Sequence, residues 1–594
     1  MSKVLACAIL SLAVAGAGGC ASPLASDREE SDARIAKVMR EAAARGEASY
    51  APTVAQGVRE LTTVPTDVAT QPGPDGFYAP NQVGLHEARL RQDEPIVDLS
   101  LQECILRTCK NSLAIKVEAF NPAVREAMVL QAQAAFDPIF FGAINAALTD
   151  EPALTQGSGA NGYSVQNQIG IKQLLPSGAT AQAALGMNYR WLIPVQQDPN
   201  NPFNPDFQRS WTNSLSFTVS QPLARGFGAA VNEAQIYLAQ RDRRISAAEF
   251  RGQVISILAD TEAAYFNLIL ARTYVDIQQR LLNATELTYE RVWARRDIDA
   301  DKISLSLAKA ACEARRAELI RARANLRSQS DLLKGMMNDP ELDIRSNILI
   351  NPTDRPTSEL MVVSTADAIQ TALQQRTELQ AARLQHERAD IIVRVTKNSL
   401  LPKVDLVVGI QTNSLQDDFM NAFGRVFDGN YIDYNAGIRI EIPLGNRQAE
   451  AQLVQYKHQR AQAFTQIASI AHRIVQNVKL QLRDILTYHY EIQARERVRL
   501  SAAEELLAIS QKENIDALTP TFLQQKLDSQ TRLASAEQAL IQALVNYNIA
   551  MMRFEQAKGT LLEYNNISLE RHPIARFEDD ANKLRFMGET YLIR

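Results

Sequence analysis

Residues 447–512 contain neither proline nor glycine, and residues 229–293 contain no proline and a single glycine, Gly252. Free of the residues that punctuate helices, each stretch of about 65 residues predicts a helix ~98 Å long if continuous. Globular domains seldom need helices of that length. In the second stretch Ile467, Ile470, Ile474, Val478, Leu482 and Ile485 recur at intervals of three or four. They form one apolar stripe amid Gln, Arg, Glu and Lys, which is a seam for a neighbouring helix. Alanines beside such stripes (Ala308, Ala310, Ala311, Ala314; Ala534, Ala536, Ala539, Ala543) permit close approach. Partner helices are predicted over Ala300–Lys334 and Thr521–Lys558, with Gly335 and Gly559 as their C-terminal stops.

The segments before the long helices alternate with a period of two. In 404–410, Val404, Leu406, Val408 and Ile410 share one face, with Asp405 and Gly409 opposite. In 434–442, Tyr434, Ala436, Ile438, Ile440 and Ile442 oppose Asn435, Gly437, Arg439 and Glu441. The first half repeats this: Leu215, Phe217 and Val219 against Ser214, Ser216, Thr218 and Ser220, and Ala181 to Tyr189 against Gln182, Gly186, Asn188 and Arg190. Charged Arg439 and Glu441 require water, so their face is hydrated. Tyr163, Tyr189, Trp191, Trp211, Tyr431 and Tyr434 fall near strand ends. One apolar and one hydrated face with terminal aromatics is the pattern of a membrane barrel. A soluble antiparallel sheet packed on a core shows the same alternation.

The order of helix, strands, long helix, turn and helix occurs twice, a large internal duplication. The expected organisation is a leader over 1–19, a lipidated, largely irregular tether over 20–95 with room for a short charged helix near Asp27–Arg45, one repeat over 96–340, a second over 341–562 and a tail over 563–594. Within the first repeat strands are expected over about 138–221 and helices over about 229–293 and 300–334. Within the second, strands are expected over about 403–442 and helices over about 447–512 and 521–558. Lys3, the apolar run Val4–Ala17 and the small residues Gly18, Gly19, Cys20, Ala21 and Ser22 read as an export signal. They resemble a bacterial lipobox, with Ala17 where such boxes prefer Leu, so Cys20 is the expected site of lipidation.

Sixty-three Lys and Arg against 67 Asp and Glu leave a net charge of −4, unlike the basic footprint of a nucleic-acid binder. Beyond the leader no apolar run near twenty residues argues for a helical membrane protein, which leaves a β-barrel open. The six histidines show no H-E-x-x-H spacing, and there is no G-x-S-x-G, P-loop or C-x-x-C motif. Cys104, Cys109 and Cys312 read as small buried hydrophobes rather than as a disulfide framework or metal site. No catalytic residue, metal site or cofactor is therefore expected, and the chain does not read as an enzyme.

Several short motifs, in order, resemble the TolC-like outer membrane efflux protein (outer membrane factor) family over roughly Ile96–Leu562. They include Val97-Asp98-Leu99-Ser100-Leu101-Gln102-Glu103, Ala135-Phe136-Asp137-Pro138, Leu175-Pro176-Ser177-Gly178, Gln221-Pro222-Leu223, Leu401-Pro402 and the closing Ala557-Lys558-Gly559-Thr560-Leu561-Leu562. The resemblance implies a mainly α chain with a membrane β-barrel, in which duplicated strand and long-helix halves form a trimeric barrel and a periplasmic α-helical tunnel. It also implies a homotrimer in the bacterial outer membrane, extending into the periplasm and contacting outer membrane lipid. Such a trimer conducts substrates passively from an inner-membrane pump and a periplasmic adaptor protein, in efflux or type I secretion-like transport. The family usually supplies four strands per subunit, whereas up to six are readable here, Tyr163–Leu174 and Gly178–Trp191 forming an extra hairpin that enlarges the barrel, forms an external loop or replaces another strand.

The tunnel tip is expected at the two helix turns, where acidic residues of relatives attract cations and take part in closure. The candidate gate residues are Asp297, Asp299, Asp301 and Asp516, with Arg296 as a constriction partner. The adaptor is expected to dock at these turns. The family usually has a glycine in the first turn, and none lies between Arg291 and Leu307. Candidate lumen residues are Asp405, Arg439 and Glu441. The rival reading is a lipid-anchored periplasmic coiled-coil scaffold or adaptor whose strands form a soluble sheet.

Overall fold

A computed structural model describes residues 33–41, 43–44, 95–149, 162–192, 209–296, 301–512, 519–571 and 591–593. The leader and Cys20 lie outside the described residues, as do Asp297, Asp299 and Asp516. The chain divides into two compact units that cut across the sequence repeats, each long helix contributing one end to each unit. Of the described residues, the first unit takes those up to 111, 258–379 and 466–567, and the second takes those of 112–257, 380–465 and from 568 on.

In the first unit, β1 (Ile96–Leu99) pairs in parallel with β6 (Leu349–Pro352). Helix α1 (Leu101–Asn111) follows β1, and its first amide, that of Leu101, donates to Asp354 Oδ2 at 2.6 Å. The core gathers Leu99, Cys104, Leu333, Met337, Ile350 and Val545 around Tyr265, whose hydroxyl donates to the Leu99 carbonyl at 2.9 Å. The same phenol oxygen accepts from the Asp354 amide at 3.3 Å, so the segments at Leu99 and Asp354 are tied through one buried side chain, satisfying polar groups that burial would otherwise penalise.

Besides a single helical turn at Leu561–Tyr564, this unit contains three further helices and the ends of the two longest, α3 (Ala234–Ala294) and α8 (Arg447–Lys512). The three are α4 (Lys302–Met337), α5 (Thr365–Gln375) and α9 (Pro520–Lys558). Helix α9 packs on α3 through Ile277, Leu281 and Ala534, and on α8 through Ala502, Leu506, Leu533 and Ala536. Small alanines at these seams let the helix axes come close. An 18-residue window of α3 is apolar enough by composition to cross a membrane, yet 67% of it is buried inside the protein, so its apolarity belongs to this packing. Helix α9 ends at Gly559, whose φ of 80° is left-handed and whose missing Cβ leaves room for the Gln375 backbone. Helix α4, by contrast, runs through Gly335 and stops at left-handed Asn338. An interior glycine costs only about 1 kcal/mol, and the fully buried Leu333 and Met337 on either side hold the helix past it.

The second unit holds a six-stranded antiparallel sheet in the order β2-β3-β4-β5-β7-β8. Its strands are β2 (Ile139–Thr149), β3 (Gly162–Leu174), β4 (Thr180–Leu192), β5 (Arg209–Pro222), β7 (Lys403–Gln416) and β8 (Ile432–Glu441). Among the described residues it does not close on itself, and β2 and β8 are its edges. Helices α2 (Leu113–Gln133) and α6 (Thr377–Asn398) accompany the neighbouring ends of α3 and α8. Ion pairs join them: Arg241 to Glu387 and Arg388 to Asp242, each at 2.8 Å, and Arg460 to Asp390 at 3.1 Å. A short helix, α7 (Phe419–Arg425), links β7 to β8, and β9 (Leu569–Arg571) pairs with β10 (Tyr591–Ile593).

Candidate functional site

In a pleated sheet, residues paired across strands point to the same side, so the register sorts every side chain onto one of two faces. One row runs Phe140, Ile171, Ala183, Phe217, Ile410, Tyr434 across all six strands. The row beside it, on the other face, runs Lys172, Gln182, Thr218, Gly409, Asn435 across the last five. The apolar face is not covered: Phe140 is 72% exposed, Ile144 80% and Ile438 64%. A contiguous exposed apolar surface of this kind on a folded chain marks contact with another protein or with lipid.

The candidate lumen residues come together on the polar face. Asp405 is in register with Arg439, and Lys403 with Glu441, across β7 and β8. The Lys403 ammonium lies 3.6 Å from the Asp405 carboxylate. Asp405 is nonetheless buried, while Arg439 and Glu441 are exposed. Four alternating charges at one end of the two strands thus form a mixed cluster with no excess of either sign.

The opposite strand ends carry aromatics. Tyr163 stacks on Trp191 with ring centroids 5.5 Å apart, and Trp211 lies 4.9 Å from both Tyr189 and Phe419. Phe419 leads into Phe423 within α7 and on to Phe427 in the turn that follows it. The Ser414 hydroxyl donates to the Ala422 carbonyl at 2.6 Å and fastens this helix to β7. Helix α7 was not read from the sequence, although its signals are present. Asp418 caps it by accepting from the Met420 and Asn421 amides, and the three phenylalanines recur every fourth residue.

At the charged end, backbone turns interlock. The β3–β4 turn places Gly178 at φ 89°, where an added Cβ would come 2.3 Å from the Gly226 carbonyl. Gly228 N donates to the Ser177 carbonyl at 3.0 Å, and Gln221 Nε2 donates to the same oxygen at 3.2 Å. Gly226 N in turn donates to Asn398 Oδ1 at 2.7 Å. The Leu-Pro-Ser-Gly and Gln-Pro-Leu motifs therefore fix how strands turn into helices.

In the first unit, the helix turns supply the candidate gate. Asp301 caps α4, accepting from the Ser304 amide at 2.8 Å, and this hydrogen bond holds its carboxyl below the ordinary carboxylate range. Thr519 caps α9 in the same way, accepting from Phe522 N at 3.3 Å, with Pro520 in the first turn. Beneath the caps Val292, Ala308, Leu523 and Leu527 form a small apolar plug joining α3, α4 and α9. The Arg296 guanidinium folds back over the Trp293 ring, 3.9 Å from its centroid. Among the described residues no group of three or more His, Cys, Asp or Glu is arranged to hold a metal ion.

Residues 368–560 match the family model described as outer membrane efflux protein. The chain is 25% identical over 329 residues to the outer membrane protein TolC of Escherichia coli (strain K12), covering 53% of this chain and 63% of that protein. TolC of Vibrio cholerae is 25% identical over 228 residues, covering 37% of this chain and 49% of that protein. The chain thus spans about half to three fifths of the length of these relatives. Among solved structures, a membrane protein from Pseudomonas aeruginosa superposes with a TM-score of 0.59 at 16% identity, over 79% of this chain and 94% of that one. The Campylobacter jejuni CmeC outer membrane channel gives 0.54 at 13% identity, over 78% and 86%. The open-state MtrE outer membrane channel of Neisseria gonorrhoeae gives 0.55 at 16%, over 78% and 89%. In sequence and in fold the chain is similar to the TolC-like outer membrane efflux proteins.

Proposed function

Taking this likeness as premise, we propose that the protein is the outer membrane channel of a tripartite efflux or type I secretion-like system, working as a homotrimer and conducting passively. The single observation that carries this reading is the uncovered apolar face of the six-stranded sheet, backed by a hydrated face and bounded by two unpaired edges. Lipid covers the first, a water-filled lumen suits the second, and neighbouring subunits satisfy the third. Unpaired strand edges cost several kcal/mol per backbone group in hydrocarbon, so a lone subunit is not the working unit. The aromatic strand ends supply interfacial anchoring.

Three copies of the long helices together enclose the tunnel. At the tip, three copies of Asp301 form an acidic ring that draws cations, and Arg296 stands at the constriction. A periplasmic adaptor docks on the capped helix turns at Asp301 and Thr519. Energy comes from the inner-membrane pump, and no covalent chemistry is asked of this chain. The test is reconstitution of the purified protein into planar lipid bilayers. Discrete ion-conducting steps are expected, and electrically silent protein that stays in solution contradicts the reading.

A further inference from the structure

The hairpin β3–β4 adds two strands to the four that the family resemblance implies, and the structure shows where they go. Gly162–Leu174 pairs with Thr180–Leu192 along the whole hairpin, and Thr180–Trp191 pairs with β5 residue for residue. On its other side β3 pairs with β2 over Ile139–Thr149. The two strands therefore stand in line between β2 and β5, and are neither a flap beyond the sheet nor a plug folded into its polar side. The face assignment runs through them without a slip. Ile171 and Ala183 continue the apolar row from Phe140 to Phe217, and Lys172 and Gln182 continue the polar row to Thr218. At 13 residues each, β3 and β4 are long enough to cross a bilayer at the usual tilt. Their turn is locked to the charged end of the sheet by the Ser177–Gly228 hydrogen bond.

We infer that the trimer closes an eighteen-stranded barrel, a conclusion that rests on the channel reading above. Six strands per subunit is an even number, so β2 and β8 run antiparallel to each other. The β8 edge of one subunit can then pair with the β2 edge of the next, and three such identical head-to-tail contacts close the ring without leaving a free edge. Barrel diameter grows roughly linearly with strand number, so eighteen strands give about 1.5 times the width of twelve. Barrels of that size leave an open aqueous channel rather than an interior filled by side chains. The lumen lining contributed by the hairpin is uncharged or basic, through Gln166, Gln168, Lys172, Gln182 and Asn188. The outer part of the conduit is accordingly not its size filter.

The test uses the full-length protein in lipid vesicles, with single cysteines on β3 at Gln168→Cys and Lys172→Cys on one face and Ile169→Cys and Ile171→Cys on the other. Ile169 and Ile171 are 40% and 53% exposed on the isolated subunit, so lipid alone would shield them. A membrane-impermeant maleimide is expected to modify the first pair and to spare the second. In parallel, electron micrographs of detergent-solubilised trimers compare the full chain with a deletion of residues 162–192, which joins residue 161 to residue 193. The full chain is expected to show a barrel about 1.5-fold wider than the deletion variant. Equal labelling of both faces, or a barrel of the same width with and without the hairpin, overturns the eighteen-stranded barrel and leaves the trimeric channel standing. Absence of any membrane-inserted trimer in the full chain overturns both. If the deletion variant does not fold, the labelling of the full chain decides alone.

Discussion

Arg107 donates to the Asp339 carboxylate at 2.5 Å, joining α1 to the turn that ends α4 across 232 positions of sequence. Asp339 also accepts from the Glu341 amide at 3.0 Å, and Arg107 reaches Glu103 and Glu341 as well. Burial alone would raise the Asp339 pKa, but the Glu341 amide and Arg107 outweigh it and hold the carboxyl below its ordinary value. Removing the guanidinium in Arg107→Ala leaves a nearly buried carboxylate unpaired, which is expected to cost about 2 kcal/mol. Because the folded pKa is depressed, the contribution is present above the ordinary carboxylate range and is lost as pH falls through the depressed value. Chemical denaturation should show the gap between wild type and variant at pH 7 and its closure in acid.

Glu262 has the opposite sign. Burial pushes its carboxyl up to about 7, against the Asn565 amide that donates to it. Between about 4.5 and 7 the folded state holds a proton that the unfolded state has released, so stability falls as pH rises through that window. Glu262→Gln keeps a neutral hydrogen-bonding group and should abolish that slope, ending more stable than wild type above pH 7 by up to about 3 kcal/mol. Parallel denaturation curves of the two proteins across pH 4.5–8 would contradict this.

On the sheet, neighbouring residues of β5 should respond in opposite ways. Phe217 belongs to the apolar row and Thr218 to the polar one. A cation facing lipid near the bilayer centre costs about 2–4 kcal/mol, whereas one in a hydrated lumen is tolerated. Phe217→Arg is expected to deplete the protein from membranes floated on a density gradient, and Thr218→Arg to leave it there. Equal loss or equal tolerance would mean that the two faces do not see different solvents.

Asp301 combines a cap with a charge. Asp301→Asn preserves a side-chain oxygen for the Ser304 amide and removes the charge, while Asp301→Ala removes both. Block of the reconstituted channel by divalent cations added on the tip side is expected to weaken at least several-fold in both variants. Helix stability should drop in the alanine variant alone. Undiminished block in Asp301→Asn would remove Asp301 from the gate.

Much of this architecture was legible because its signals are local. The period of two in 404–410 and 434–442 fixes which side chains share a face, and the absence of breakers in 447–512 leaves a helix as the economical conformation of that stretch. Features that depend on distant partners were not legible. Nothing in Ile96–Leu99 announces a parallel pairing with Leu349–Pro352. The position of the extra hairpin within the sheet follows from backbone pairing that alternation does not encode. Gly335 was expected to stop α4 and does not, since tertiary packing of Leu333 and Met337 overrides the local preference of glycine. Helix α7 is only seven residues long and lies between two strands, so its amphipathic spacing spans too few residues to register as a helical period.

On the channel reading the strands, and not a lipid at Cys20, hold the protein in the membrane as a trimer. The native mass, in mild detergent, of a Cys20→Ala version directed to the periplasm by a non-lipoprotein signal separates the two anchors. A trimer recovered only by extracting membranes is expected. A monomer or dimer released in water-soluble form would contradict it and favour the periplasmic scaffold.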